Sequence, residues 1–256
     1  MTIGSLFSGI GGLELGLERA GLGPVMWQCE IDPFALAVLE RHWPEATRVR
    51  DVRDVSPKTV REVSLICGGF PCQDVSVAGK GAGLAGERSG LWSEFRRVVD
   101  ECQPATVVVE NVAQGISRWL PAVVGDLRGL GYVPCPIVLS AGECGAPHRR
   151  ARAFVVADTD GSVLRLIQQR QPGRPSRGVR DEGQAVAVDD GGAWRSAGAS
   201  AWTSLPRVGR VGNGIPGRVD GAGQRTDRLR VLGNAVVPHV AEVIGRIIVA
   251  AHGRSS

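Results

Sequence analysis

The sequence predicts an α/β domain built around a mainly parallel sheet. From residue 1 to about residue 157, short apolar runs rich in β-branched residues alternate strictly with stretches of helical periodicity. The chain has 256 residues, of which 43% are hydrophobic, so it can bury the core that such a domain needs. Parallel strands joined by helices imply right-handed crossovers.

The predicted strands and helices follow one another in pairs. The first pairs are IGSLF with GLELGLERA, VMWQC with PFALAVLERHW, and SLICG with LWSEFRRVVDEC. A further short strand is expected to end within VRDVRD. The domain closes with TVVVE, ISRWLPAVVGDLRGL, YVPCPIVL and RAFVVA.

The character of the chain changes after Asp158. Residues 158–204 are poor in periodic hydrophobic residues and carry five arginines between positions 165 and 180. They predict either a small recognition lobe or a poorly ordered insert. A helix is expected again in VVPHVAEVIGRIIVAAH, whose apolar face should pack back onto the first domain. That face contains Val240, Val243, Ile244 and Ile247.

Composition excludes several classes of protein. No apolar run approaches the roughly 18 residues that cross a bilayer, and MTIGSLFSGIGG does not resemble a signal peptide, so an intracellular protein is expected. Six scattered cysteines form no CxxC pair and predict reduced thiols. Apart from Lys58 and Lys80 every basic side chain besides histidine is arginine, which fits phosphate binding or a GC-rich genome equally well.

A glycine turn and two acids follow the first strands. Ligands bind at the carboxyl ends of parallel strands, and IGSLF leads into the turn Phe7-Ser8-Gly9-Ile10-Gly11-Gly12. Glu14 stands where a dinucleotide fingerprint needs glycine, which disfavours a pyrophosphate ligand.

Glu30 and Asp51 each follow a predicted strand. From there we expect Glu30 to bind the ribose and Asp51 the adenine of an adenosine cofactor, such as S-adenosylmethionine. Alternatively, Glu30 caps the next helix and Asp51 is a surface turn residue.

A second candidate site lies around Cys72. This thiol follows Pro71 just beyond the strand SLICG, and Pro71 restricts the backbone before it. Such a cysteine is either a nucleophile or a small buried hydrophobe. Glu110 ends the strand TVVVE, and Arg150 and Arg152 precede or begin the strand RAFVVA, so thiol, carboxylate and guanidiniums are expected on one rim.

These segments together resemble a known family. FSGIGGLELGLERAG, EIDPFA, RDVRD, GGFPCQDVSVAGKGAGLAGERSGLW, ENV, RRAR and LGNAVVP occur in the order and approximate spacing of the motifs of C5-cytosine-specific DNA methyltransferases. The resemblance spans residues 1–157 and about 205–245. His148 departs from the glutamine that the family usually has in its arginine motif.

The resemblance implies a Rossmann-like S-adenosylmethionine-dependent methyltransferase fold with a small irregular recognition lobe. Residues 1–157 would form the catalytic and cofactor-binding domain, and residues 158–227 a short target recognition region. Residues 228–256 would form a C-terminal segment that packs back on the catalytic domain.

The implied activity is DNA (cytosine-5-)-methyltransferase. The methyl group of S-adenosylmethionine would pass to C5 of a flipped-out cytosine while Cys72 is bonded to C6. Glu110 would hold the N3 and amino edge of the base, and Arg150 and Arg152 would position the base and the Cys72 turn. The implied cofactor-binding residues are Phe7, Ser8, Gly9, Gly11, Gly12, Glu30, Asp51, Val52, Pro71, Asn234 and Ala235.

The expected partner is double-stranded DNA, bound by a monomer without metal, in the cytoplasm of a bacterial or phage-infected cell. A cognate restriction endonuclease is expected if the protein belongs to a restriction-modification system. Two alternatives stay open: an RNA-directed cytosine-5 methyltransferase, and a catalytically silent DNA-binding relative.

Overall fold

The structure, a computed structural model, describes residues 1–71, 90–146, 148, 150–169, 186–187, 233 and 235–253. Within these residues the chain forms one eight-stranded sheet. The strands are β1 Ile3–Leu6, β2 Val25–Cys29, β3 Thr47–Val49, β4 Leu65–Gly69, β5 Thr106–Val112, β6 Val133–Ser140, β7 Ala151–Asp158 and β8 Val186–Ala187.

The order of the strands across the sheet is β3-β2-β1-β4-β5-β7-β6-β8. β7 runs antiparallel to both of its neighbours, β5 and β6, and every other described pairing is parallel. The predicted α/β fold with a mainly parallel sheet is therefore confirmed. One feature was not predicted: β7 enters the sheet between β5 and β6 in the opposite direction.

Six α-helices and one 3-10 turn are described along the same residues. The turn is Val52–Asp54, and the helices are α1 Gly12–Arg19, α2 Pro33–His42, α3 Gly90–Cys102, α4 Ile116–Gly129, α5 Ser162–Gln169 and α6 Pro238–His252. No helix in the described ranges is both long enough and apolar enough to cross a membrane.

The helices cover both faces of the sheet, because the central strands are apolar on both sides. In β5, Val108 faces the core beneath α1, α5 and α6, whereas Val107 and Val109 face the core beneath α3 and α4. This double burial explains why the strand has a continuous apolar run rather than an alternating pattern. The helices do not cover the ends of the strands, and polar side chains lie there.

α6 packs along α1 and the sheet. Val240, Ile244 and Ile247 of α6 are at most 1% exposed, and each such burial contributes about 1.5–3 kcal/mol. The two helices approach closely at glycine: a Cβ on Gly16 of α1 would collide with Pro238 O and with the side chain of Ala241. This contact brings the segment before α6 to the start of α1.

α5 is an element that the sequence reasoning missed. Val163, Leu166 and Ile167 are buried against the same core as α6, and Asp158 accepts a hydrogen bond from Val163 N at 2.9 Å. The first residues of the predicted recognition region therefore form a helix on the sheet. The greater part of residues 158–227 lies outside the described residues.

Candidate active site

The candidate site lies at one edge of the sheet, where the parallel strands β1, β2, β4 and β5 end. Because β7 is antiparallel, it begins at this same edge. The glycine turn, Glu30, the Phe70-Pro71 turn, Glu110 and Arg152 consequently lie at or beside one edge, as the strand order predicts. Cys72 and Asn234, two predicted site residues, lie outside the described residues.

The turn after β1 adopts a conformation that favours glycine. Gly9 and Gly11 have φ angles of 55° and 81°, in the left-handed region. Phe7 also has a positive φ, 53°, which is uncommon for a residue with a side chain and marks local strain. The turn is held by hydrogen bonds from Gly11 N to Ser8 O and from Ser8 N to Cys29 O. A Cβ on Gly9 would meet open space, so the turn leaves room for a ligand.

Glu30 fixes this turn to the end of β2. One carboxylate oxygen, Oε2, accepts a hydrogen bond from Gly9 N at 2.7 Å, and Oε1 accepts from Ile31 N and Asp32 N at 2.8 Å. A carboxylate has further lone pairs, so these bonds leave it able to accept from a ligand hydroxyl. The α2 cap is not Glu30 but Asp32, which accepts from Phe34 N and Ala35 N.

Ile31 is a surface feature that the sequence reasoning did not single out. Its side chain is 68% exposed, although it lies between two acids whose carboxylates are engaged with backbone. Its exposed side chain therefore leaves an apolar surface beside Glu30. The signal in the sequence was an apolar residue between two strand-end acids.

Asp51 is engaged with a neighbouring arginine. Its Oδ2 lies 2.6 Å from Arg53 Nη2, and hydrogen bonds from Arg53 lower the pKa of Asp51 to about 2. Val52 is buried, and Arg97 of α3 donates to Val52 O and Val55 O, which holds the turn in place. The predicted contact of Asp51 with adenine would share the carboxylate with Arg53, and it stays a prediction.

A buried polar layer lies beneath the glycine turn. Glu14 and Gln28 are fully buried, and Gln28 Nε2 donates to Glu14 Oε1 at 3.2 Å. Burial raises the pKa of Glu14, while hydrogen bonds from Ser5, Gln28 and Ser8 act in the opposite direction. Ser8 Oγ also donates to Ser5 Oγ at 3.0 Å. Glu14 therefore supports the turn from below.

The other half of the site is built around Glu110. Glu110 is a buried residue, and its carboxylate oxygen Oε1 lies 2.8 Å from Arg152 Nε. Burial raises the pKa of Glu110 to about 7, against the opposing effect of Arg152 and Arg150. Glu110 pairs in the sheet with Gly69, and a Cβ on Gly69 would come 2.5 Å from Glu110 Oε2. Glycine at position 69 thus allows the carboxylate to lie over the end of β4, three positions before Cys72.

Asn111 connects the end of β5 to the turn that leads into Cys72. Its Nδ2 donates to Phe70 O at 3.2 Å, and its Oδ1 accepts from Val112 N at 2.8 Å. The Phe70 ring packs against the rings of Trp92 and Trp119. Both interactions hold the backbone just before Pro71, which is exposed at the rim.

Arg150 has different partners from Arg152. Arg150 Nη2 donates to Gly233 O at 2.5 Å and to Ala235 O at 2.9 Å. Of the two arginines expected to position the base, Arg152 contacts Glu110 directly, whereas the hydrogen bonds of Arg150 go to the segment before α6. The base-positioning role of both residues stays a prediction.

Fold and sheet edge together define an α/β protein of the Rossmann-like methyltransferase class. The particular family follows from a match to the C-5 cytosine-specific DNA methylase family over residues 1–180, and the chain belongs to that family. The family resemblance stated from the motifs is confirmed.

Two relatives in sequence and one solved structure of similar fold illustrate the similarity. The chain is 33% identical over 165 residues to the type II methyltransferase M2.BsuMI of Bacillus subtilis (strain 168), covering 61% of this chain and 42% of that protein. It is 31% identical over 180 residues to M.HhaI of Haemophilus parahaemolyticus, covering 69% and 54%. The structure of the Entamoeba histolytica methyltransferase EhMeth matches with a TM-score of 0.67 at 14% identity, covering 98% of each chain. The chain spans between 39% and 54% of the length of the curated relatives it matches.

Proposed function

We propose that the protein is a DNA (cytosine-5-)-methyltransferase that uses S-adenosylmethionine. The observation that carries the proposal is the ion pair between buried Glu110 and partly buried Arg152 beside the turn that leads into Cys72. A carboxyl group with a pKa of about 7 can donate or accept a proton at neutral pH, as base activation requires. Family membership gives the reaction class.

The described edge of the sheet suits an adenosine cofactor. Gly9 leaves open space above a left-handed turn, and Glu30 and Ile31 supply an acceptor and an apolar surface beside it. The residues that would hold the cofactor are Phe7, Ser8, Gly9, Gly11, Gly12, Glu30, Asp51, Val52, Pro71, Asn234 and Ala235. When bound, the cofactor supplies an electrophilic methyl group.

The residues of the chain would activate the base. Cytosine has no nucleophilic carbon at C5 until a nucleophile adds to C6, and Cys72 is assigned that addition. Glu110 would supply a proton at N3 as the ring takes up charge, and Arg152 would hold the carboxyl group in place. Loss of the C5 proton and elimination of Cys72 would then release the methylated base. Because an enzyme that acts on a base in a duplex must turn that base out of the stack, the proposed substrate is double-stranded DNA with the target cytosine flipped out.

The pKa values of four of the five other thiols support the choice of Cys72. Burial raises the pKa of Cys29 and Cys135 to about 12, and it raises the pKa of Cys67 and Cys102 as well. A thiol must be deprotonated to act as a nucleophile, so these four cysteines suit the core rather than catalysis.

The test is to express the protein in a host without cytosine methylation and to map 5-methylcytosine by bisulfite sequencing. Wild type should methylate a short motif, whereas Cys72→Ser and Glu110→Gln should leave the DNA unmethylated. Absence of methylation with soluble wild-type protein would contradict the proposal. RNA from the same cells, mapped in the same way, would reveal an RNA-directed enzyme.

A second measurement addresses the covalent step. A duplex with 5-fluorocytosine at the mapped site should form a stable adduct with wild type and S-adenosylmethionine, because the fluorine on C5 blocks the final elimination. The Cys72→Ser variant should form none. An adduct that survives in the Cys72→Ser variant would show that another residue is the nucleophile.

A further inference from the structure

Arg150 connects two parts of the chain that lie far apart in sequence. Its Nη2 donates to Gly233 O and Ala235 O, 83 and 85 positions away, at 2.5 and 2.9 Å. Hydrogen bonds from a charged donor are among the stronger ones in proteins. Arg150 is half-buried, and of its two bonds the one to Ala235 O is partly shielded from water, whereas the one to Gly233 O is exposed. Arg150 therefore ties Gly233 and Ala235 to the start of β7.

Ala235 and Val236 lie against the glycine turn of the proposed cofactor site. Ala235 packs on the small apolar cluster of Ile10, Ala35 and Val38, and Ile10 is the centre of the turn. Val236 O lies so close to Gly12 that a Cβ at position 12 would collide with it. Val236 thus lies over the beginning of α1, directly after the turn.

The same arginine borders the proposed base site. Arg150 lies two positions before Arg152, whose Nε contacts Glu110 at 2.8 Å. Glu110 and Arg152 both act electrostatically on Arg150, so the guanidinium lies within the field of the base site. The two arginines at the start of β7 therefore have different partners. Arg150 contacts the residues beside the glycine turn, and Arg152 contacts Glu110 in the proposed base site.

We infer that Arg150 is a positioning residue that holds the cofactor half of the site together, while Arg152 serves the base half. The inference rests on the proposed function, since it assumes that the glycine turn binds S-adenosylmethionine. It differs from the sequence-based expectation, in which both arginines position the base. Its consequence is that loss of Arg150 weakens cofactor binding even when no DNA is present.

The experiment measures the affinity of S-adenosylhomocysteine by isothermal titration calorimetry without DNA. Arg150→Met retains most of the apolar stem of the side chain but removes the guanidinium donors, and it should weaken binding by about tenfold or more. Arg150→Lys retains the charge but not the planar donor fork, and a smaller loss is expected. Arg152→Met is the matched control and should bind within about twofold of wild type.

Steady-state kinetics give a second readout. Arg150→Lys should raise the KM for S-adenosylmethionine more than it lowers kcat, whereas Arg152→Lys should lower kcat or raise the KM for DNA. If Arg150→Met does not fold, Arg150→Lys carries the test, and wild-type affinity in that variant would overturn the inference. Equal losses in the Arg150 and Arg152 variants would overturn it too.

The outcomes separate this inference from the proposed function. If wild type does not bind S-adenosylhomocysteine, the proposed cofactor is wrong, and the inference fails with it. If wild type binds the probe and Arg150→Met binds equally well, the inference alone fails. Methylation of DNA is not needed for either result.

Discussion

The pKa of Glu110 makes a measurable contribution to the dependence of stability on pH. The perturbation is Glu110→Gln, which retains the shape of the side chain and removes its titration. The folded-state pKa is about 7, whereas the ordinary value is 4.5, and the cause is burial against the end of β4. Between these two pH values the folded protein binds more protons than the unfolded chain at this site.

The difference between the folded and unfolded pKa of Glu110 sets both the direction and the size of the change in the free energy of unfolding with pH. Because the folded-state pKa is raised, the stabilisation by protonated Glu110 is fully present below about pH 4.5. It is lost as the pH rises through about 7. Each pKa unit corresponds to about 1.4 kcal/mol, so the total loss is about 3 kcal/mol. The side chain is only 10% exposed, so solvent screening removes little of this effect.

The assay is urea denaturation of wild type and Glu110→Gln at a series of pH values from about 5.5 to about 8. The free energy of unfolding of wild type, relative to the variant, should fall by about 2 kcal/mol over this range. Asp51→Asn is a suitable control: Arg53 lowers the pKa of Asp51 to about 2, so its difference from wild type should be constant here. A flat or rising difference for Glu110→Gln would refute a neutral carboxyl group at this site.

Three further predictions concern packing, capping and the buried polar layer. Gly12→Ala should collide with Val236 O and destabilise the fold by about 1–3 kcal/mol in urea denaturation. Gly125→Ala, at an exposed helical position with open space, should instead be neutral or stabilising by up to about 1 kcal/mol; equal effects would contradict this reasoning. Asp32→Ala removes the α2 cap and should cost about 1 kcal/mol by thermal denaturation, whereas an unchanged Tm would show that the cap contributes nothing. Glu14→Ala should cost about 2–4 kcal/mol, because it leaves a cavity and removes the acceptor of the buried Gln28 amide, and Glu14→Gln, which retains the size of the side chain, should cost less; equal costs would contradict the supporting role of Glu14.

Much of the fold was readable because its signals are local. Apolar runs such as the one in β5 predict strands buried on both faces, and their order predicts that Glu30 and Glu110 gather at one edge. α5 was missed although Val163, Leu166 and Ile167 have helical spacing, because the polar residues that follow obscure so short a pattern.

The detailed contacts of the site were not readable from the sequence, since they depend on tertiary structure. Glu14 was interpreted as a departure from a dinucleotide fingerprint, yet it is a fully buried support of the glycine turn. Nothing local indicates that Gly69 makes room for the Glu110 carboxylate or that Arg150 bonds to carbonyls more than 80 positions away. Such contacts arise only when strands and helices are packed together.

The direction of β7 explains how one edge can hold both halves of the site. In an all-parallel sheet, residues at the start of a strand lie at the edge opposite to the strand ends, so Arg150 and Arg152 would be far from Glu110. The antiparallel entry of β7 beside β5 instead places Arg152 opposite Val112, two positions beyond Glu110. From there one guanidinium reaches the carboxyl group that is assigned to the base, and the other reaches the segment that covers the glycine turn. A reversal of one strand therefore supplies positive charge to an edge at which parallel strands contribute mainly acids and glycine turns.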